Sequence, residues 1–147
     1  MQYLSVREIR TEDLDTVTAI ESLSFSRPWT RNMFYQEMGN PRSFIRVAEL
    51  NGNIIGYICA SFVLDEGHIL DIAVNSLYRK KGIATVLVND VLSNLRKFGI
   101  KRIFLEVRVS NRSALSFYEK IGFESIGSRK DYYRDPVEDA VTMSCDI

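Results

Sequence analysis

ILDIAVNSLYRKKGIA, residues 69–84, changes its repeat partway along. Ile69 to Val74 is apolar and rich in β-branched residues, as a buried strand is, and Asn75-Ser76 breaks it. A basic loop follows, Arg79-Lys80-Lys81, and from about Ile83 the apolar residues take up helical spacing. The first backbone N–H groups of a helix have no intrahelical partner and lie at the positive end of its dipole, so a loop that feeds a helix start can hold phosphate oxygens. Gly82 lets the backbone approach a ligand closely, and the three cations add charge. The spacing Arg79-x-x-Gly82-x-Ala84 is neither a Walker loop, since no Gly-Lys-Ser/Thr follows, nor the dinucleotide G-x-G-x-x-G. An ordinary strand-to-helix connection with solvated cations would look the same over these few residues.

Downstream, Ala84, Leu87, Val88, Val91, Leu92 and Leu95 form one apolar helical stripe, and Gly99 is placed to end it. Arg102–Val107 predicts a short strand. Ser110-Asn111 can cap a helix with inner face Ala114, Phe117, Tyr118 and Ile121, which Gly122 ends. Two last strands, Phe123–Asp131 and Val137–Cys145, are expected to be joined through Tyr132-Tyr133-Arg134-Asp135-Pro136. Upstream, Phe44–Leu50, the Asn51-Gly52 turn and Ile54–Leu64 make a strong hairpin signal, and Asp65-Glu66-Gly67 turns the chain into His68–Val74. Tyr3, Val6 and Ile9 suggest a first strand. Thr11 reads as the cap of a helix with apolar face Leu14, Val17, Ile20, Leu23 and Phe25; Ser26-Arg27-Pro28 breaks it, and Thr30 caps a second helix over Arg31–Met38. The expectation is a single α/β (α+β) domain over residues 1–147, with a mixed, mainly antiparallel sheet of about six or seven strands and about four helices.

Composition sets limits on function. With 46% hydrophobic and 26% charged residues the chain is ordinary globular material, and no segment approaches the about 20 apolar residues of a membrane span. Nineteen basic residues balance nineteen acidic ones, so the whole molecule has no general attraction for nucleic acid and any anion site must be local. The N-terminus, MQYLSVREIR, alternates and carries too much charge for a signal peptide, which predicts a cytoplasmic protein; the balanced charge is compatible with a monomer. Cys59 and Cys145 lie in strand-like surroundings without a second Cys or His at metal-ligand spacing, and read as two buried reduced thiols with no metal.

The basic loop resembles the pyrophosphate loop of the Gcn5-related N-acetyltransferases, which use acetyl-coenzyme A. A second segment, NRSALSFYEKIGF from Asn111 to Phe123, is similar to that family's later helix and follows at the expected place, so the resemblance covers nearly the whole chain. Leu105-Glu106-Val107-Arg108, Ser110-Asn111, Tyr118 and Tyr132-Tyr133 resemble the bacterial members that acetylate the N-terminal alanine of small-subunit ribosomal protein eighteen. So does the Pro28-Trp29-Thr30 turn. Ala84 stands where the strictest loop pattern has a second Gly. The resemblance implies a coenzyme site on Ile72, Ala73, Val74, Arg79, Lys80, Lys81, Gly82, Ile83, Ala84, Asn111 and Tyr118, with a protein N-terminus as acceptor.

Acetyl transfer from a thioester to an amine needs a neutral amine, stabilisation of an oxyanion, and a proton for the departing thiolate. An α-amine titrates near pH ~8, so a carboxylate acting through water suffices as base, whereas a lysine at ~10.4 asks for more. Glu106, ending an apolar strand, is the candidate base; strand glutamates also form plain cross-strand ion pairs. Tyr118 sits where the family carries its general acid, although periodicity alone would make it a core aromatic. Asn111 can bond the pantetheine, cap its helix, or both, and a backbone N–H around Ile72–Val74 is the oxyanion donor the family implies. Trp29, Tyr132 and Tyr133 can wall an acceptor groove or simply pack. Asp71 is placed to face the acceptor amine. His68, a lone histidine at a strand start, reads as structural. Two other functions remain open on these residues: transfer to a lysine side chain or small amine, and a coenzyme A-binding module without chemistry, which would not need both Glu106 and Tyr118.

Overall fold

The computed structural model describes residues 3–147. Seven strands form one sheet: β1 (Leu4–Glu8), β2 (Ser43–Leu50), β3 (Asn53–Val63), β4 (Glu66–Val74), β5 (Arg102–Arg108), β6 (Glu124–Tyr133) and β7 (Glu138–Asp146), in spatial order β1-β2-β3-β4-β5-β7-β6. Four α-helices accompany them: α1 (Leu14–Ser24), α2 (Arg31–Met38), α3 (Ile83–Lys97) and α4 (Arg112–Ile121). All neighbouring strands are antiparallel except β4 and β5, so the expected mixed, mainly antiparallel sheet is what forms. The β2–β3 hairpin turns on Asn51 and Gly52, both at positive φ (50° and 86°), as a two-residue turn of matching twist requires.

Successive residues of a strand point to opposite faces, and the core divides accordingly. Ala48, Ile58 and Ala60 pack with Leu87, Val88, Val91 and Leu95 of α3, and Tyr118 and Phe123 extend that layer. Their strand neighbours Val47, Tyr57 and Cys59 pack on the other face with Leu14, Val17 and Ile20 of α1 and Phe34 of α2. The predicted α3 stripe is buried at Leu87, Val88, Val91, Leu92 and Leu95 and half-buried at Ala84.

Several boundaries differ from the sequence expectation. Thr11–Asp13 is a 3-10 turn rather than the start of the first helix, because the Asp13 carboxylate is drawn back to the Arg7 guanidinium (2.8 and 3.1 Å) and the Arg10 amide (2.8 Å). In α1 the inward positions are Leu14, Val17, Ile20 and Glu21; Leu23, almost opposite Glu21 around the helix, is 89% exposed, and Phe25 lies beyond the helix end. The β3–β4 turn is Leu64-Asp65, so Glu66 and Gly67 already belong to β4. Tyr132 and Tyr133 complete β6, where an irregular register between Arg129 and Tyr133 lengthens the strand, and only 134–137 connect it to β7. Cys59 is buried, but Cys145, on a strand face covered only in part, is half-buried.

Candidate active site

β4 and β5 pair in parallel only from Glu66↔Arg102 to His68↔Phe104, and then part. β5 goes on with β7 as far as Arg108↔Ala140, while β4 goes on with β3, its ladder shifted beside Cys59 and Ala60 so that Leu70 falls outside it. Such a bulge bends and twists a strand, and here β4 turns away from β5. The edges that would have bonded each other instead border a cleft of about 550 Å³. Its lining brings together Asp71, Ile72, Glu106, Asn111 and Tyr118, with Trp29, Tyr132 and Tyr133 from the flanking segments.

Glu106 projects from β5 with its side chain only 7% exposed, and its Oε1 lies 2.7 Å from Nε2 of His68. It is not solvent-facing, and the cross-strand pair, its plain alternative, is present with the His68 imidazole of β4 as partner. His68, 37% exposed, orients it from the neighbouring strand and borders a second hollow of about 360 Å³ on the far side of Glu106. Tyr118 is buried on α4 between the rings of Phe117 and Phe123, in edge contacts at 5.1 and 5.5 Å. Burial, followed by the charge of Asp71 and the neighbouring Tyr133, pushes its phenol well up, so it holds its proton at neutral pH. Asn111 caps α4, its Oδ1 accepting the Ala114 amide at 3.1 Å, which leaves its amide nitrogen as the group it can offer the cleft.

The basic loop lies outside this lining, at the start of α3 and next to the end of β4. Asn75 closes the strand by accepting the Leu77 amide at 3.0 Å. Arg79 does not project freely: its Nε donates to the Val74 carbonyl at 3.1 Å, tying the loop to β4. Lys80 and Lys81 are exposed, and Gly82 takes φ 81°, ψ 6° as the N-cap of α3. No side chain caps this helix and no acid stands in its first turn; the first intrahelical bond, Val86 amide to Gly82 carbonyl, is 3.1 Å. The N–H groups before Val86 are therefore open, and a Cβ built on Gly82 would meet nothing within 4 Å. Ile83 turns its side chain into the core, as Ala84 does in part, so both offer the site backbone only. This is an anion cradle of the kind a coenzyme pyrophosphate fits. Among the described residues no group of three or more His, Cys, Asp or Glu is arranged to hold a metal ion, and no helix is long and apolar enough to cross a membrane.

Among the flanking aromatics of the cleft, the Trp29 ring lies 5.1 Å from Phe34, and Tyr132 and Tyr133 meet at right angles, 5.0 Å apart. Arg108 braces this wall. Its guanidinium stacks over Tyr133 at 4.6 Å and donates to the carbonyls of Pro136 (2.9 Å) and Arg134 (2.6 Å) and to Glu138 (3.1 Å). Asp71 lies deeper, beside Glu21, and its Oδ2 finds no donor among the described residues. Burial first, and then Glu21, push the Asp71 carboxyl well above the usual carboxylate range.

Sequence reasoning missed three side chains: Glu21 and Arg108 at the cleft, and His68 with its contact to Glu106. Glu21 alone left a signal, an acid on the apolar face of a helix. His68 and Glu106 are far apart in sequence, and nothing in the spacing announces that parallel pairing brings them together.

The sequence profile described as the Acetyltransferase (GNAT) family matches residues 8–123. A Bacillus subtilis (strain 168) protein provisionally named as a ribosomal protein bS18-alanine N-acetyltransferase is 39% identical over 140 residues, covering 95% of this chain and 93% of the relative. The Escherichia coli (strain K12) ribosomal protein bS18-alanine N-acetyltransferase is 30% identical over 145 residues, covering 97% of each. The crystal structure of an Escherichia coli enzyme of that activity superposes with a TM-score of 0.91 at 30% identity, over 99% of this chain and 94% of that one. The matched region takes in the parted strands, the anion cradle and the helix of Tyr118: the chain belongs to the Acetyltransferase (GNAT) family.

Proposed function

We propose that this protein transfers an acetyl group from acetyl-coenzyme A to the N-terminal α-amine of a protein, the N-terminal alanine of small-subunit ribosomal protein eighteen. The observation that carries the reading is that one cleft is lined by both Glu106 and Tyr118 and is flanked by Trp29, Tyr132 and Tyr133. The curated relatives named for that same activity support it. The thioester of acetyl-coenzyme A supplies the acetyl group. The open amides at Gly82–Ala84, with Lys80 and Lys81, hold its phosphates, Asn111 bonds its pantetheine arm, and β4 amides from Ile72 to Val74 face the carbonyl oxygen.

Glu106, aimed by His68, accepts the amine proton directly or through a water. Tyr118, kept protonated by its surroundings, gives a proton to the departing sulfur. Neither thiol takes part: Cys59 is buried with its thiol pushed up by burial, so transfer is direct. The chain acts as one domain over residues 1–147 and as a monomer in the cytoplasm, where its acceptor is made; it needs no contact with nucleic acid.

The deciding assay offers acetyl-coenzyme A and a peptide copying the acceptor N-terminus, beside the same peptide with a blocked α-amine and a free lysine. Acetylation of the free N-terminus alone is expected. Glu106→Gln should keep coenzyme A binding and lose about 10²–10⁴-fold in turnover. Transfer only to lysine, or an unimpaired Glu106→Gln enzyme, refutes the acceptor or the base respectively.

A further inference from the structure

Glu21 is 2% exposed, yet its side-chain oxygens accept hydrogen bonds from two other parts of the chain. The Trp29 amide donates to Oε2 at 2.9 Å, and the Tyr57 hydroxyl of β3 donates to Oε1. Asp71 of β4 lines the same cleft, and burial followed by Glu21 pushes its carboxyl up. An apolar side chain would fill this inward position of α1 as it does at Leu14, Val17 and Ile20. A buried carboxylate is tolerated only when its lone pairs are met, so what it binds matters.

It binds a segment of the cleft that has no regular structure. Residues 25–30 run between α1 and α2, and Pro28 has no amide to donate. The ring of Trp29 rests on Phe34, which in turn meets Tyr57 edge-on at 5.6 Å. Backbone and ring of Trp29 thus both lead to Tyr57, once through Glu21 and once through Phe34. Glu21 and Asp71 border the cleft on the same side that Phe25 and Trp29 wall. The Trp29 ring is seated through Phe34, while its backbone is tied to the floor through the Glu21 side chain.

We propose that Glu21 is a positioning residue that fixes the Phe25–Trp29 wall and so determines which first residue of the acceptor is accepted. This rests on the reading of the cleft as an N-terminal acceptor site. A rigid wall excludes a larger side chain by contact; a loosened one admits it, and discrimination between a small and a branched side chain in such pockets is typically about 10–200-fold. Glu21→Ala should raise KM for an alanine-initial peptide and lower its advantage in kcat/KM over a leucine-initial peptide about tenfold, with KM for acetyl-coenzyme A unchanged, since α3 packs on the opposite face of the sheet. Glu21→Gln keeps a carbonyl oxygen for the Trp29 amide and an amide group to meet the Tyr57 hydroxyl, and should restore the advantage to within about threefold of wild type.

Trp29 is the only tryptophan in the chain, so its fluorescence reports the wall directly. Acrylamide quenching should rise in Glu21→Ala and, less, in Tyr57→Phe, which removes one donor while leaving the ring in place and so also serves if Glu21→Ala does not fold. Unchanged quenching in Tyr57→Phe, or an unchanged preference in folded Glu21→Ala, overturns the role of Glu21. A wild-type protein that acetylates neither peptide overturns the functional reading beneath it.

Discussion

Gly82→Ala tests the anion cradle with little confusion from packing, because a Cβ at this position has no neighbour within 4 Å. The cost of the substitution is then the backbone alone. At φ 81° an L-residue loses about 1–2 kcal/mol, since its Cβ crowds the carbonyl that follows. For a chain of 147 residues this lowers Tm by about 3–6 °C. The added methyl also fills open space at the loop that holds the pyrophosphate on this reading. A tenfold weaker coenzyme A removes about 1.4 kcal/mol of the stabilisation that a saturating ligand confers, whatever the starting affinity. Thermal melts of both proteins, with and without coenzyme A, separate the two effects. Wild type should gain more from the ligand than Gly82→Ala by about 3–5 °C. An equal gain in both proteins would show that Gly82 serves the turn only and that the phosphates lie elsewhere. An unchanged Tm in the absence of ligand would refute the strain.

Tyr118→Phe keeps the packing against Phe117 and Phe123 but removes the hydroxyl, so turnover should fall about 10²-fold or more with Tm nearly unchanged; a wild-type rate and pH profile removes Tyr118 from the mechanism. The Asp71 carboxyl is pushed from 3.8 up to about 9, so the folded state holds that proton more tightly than the unfolded chain does. Its contribution is complete below about pH 4 and is lost as pH rises toward 9, at up to about 1.4 kcal/mol per pH unit. Urea unfolding of Asp71→Asn across neutral pH should accordingly give a flatter stability curve than wild type, and parallel curves would contradict the raised Asp71 carboxyl. Cys59 should resist thiol reagents in the native state while half-buried Cys145 reacts, so that a second equivalent appears only on unfolding; two equivalents released together from native protein would place Cys59 wrongly.

Wherever a repeat or a turn residue speaks for its own neighbourhood, sequence was sufficient. The α3 stripe from Leu87 to Leu95, the Asn51-Gly52 hairpin and the Asn111 cap need only local geometry, and together with the Arg79–Ala84 loop they specify the fold class. With nineteen acids and seven tyrosines in the chain, residue identity alone did not single out Glu106 and Tyr118 as candidate base and acid; their place in motifs that resemble the family did. Tertiary structure decided what those groups meet. The gap that makes the site exists because β4 bends at an irregular step opposite Cys59 and Ala60 and leaves β5, and no one-dimensional pattern records where two strands cease to pair. His68 reaches Glu106 only because parallel register places them side by side, and Arg79, which looked like a free phosphate cation, is partly committed to the Val74 carbonyl. Glu21 was assigned to no role for the same reason: periodicity says which way a helical side chain points, but whether a buried carboxyl group is tolerable depends on donors that arrive from β3 and the Trp29 loop only when the chain is folded.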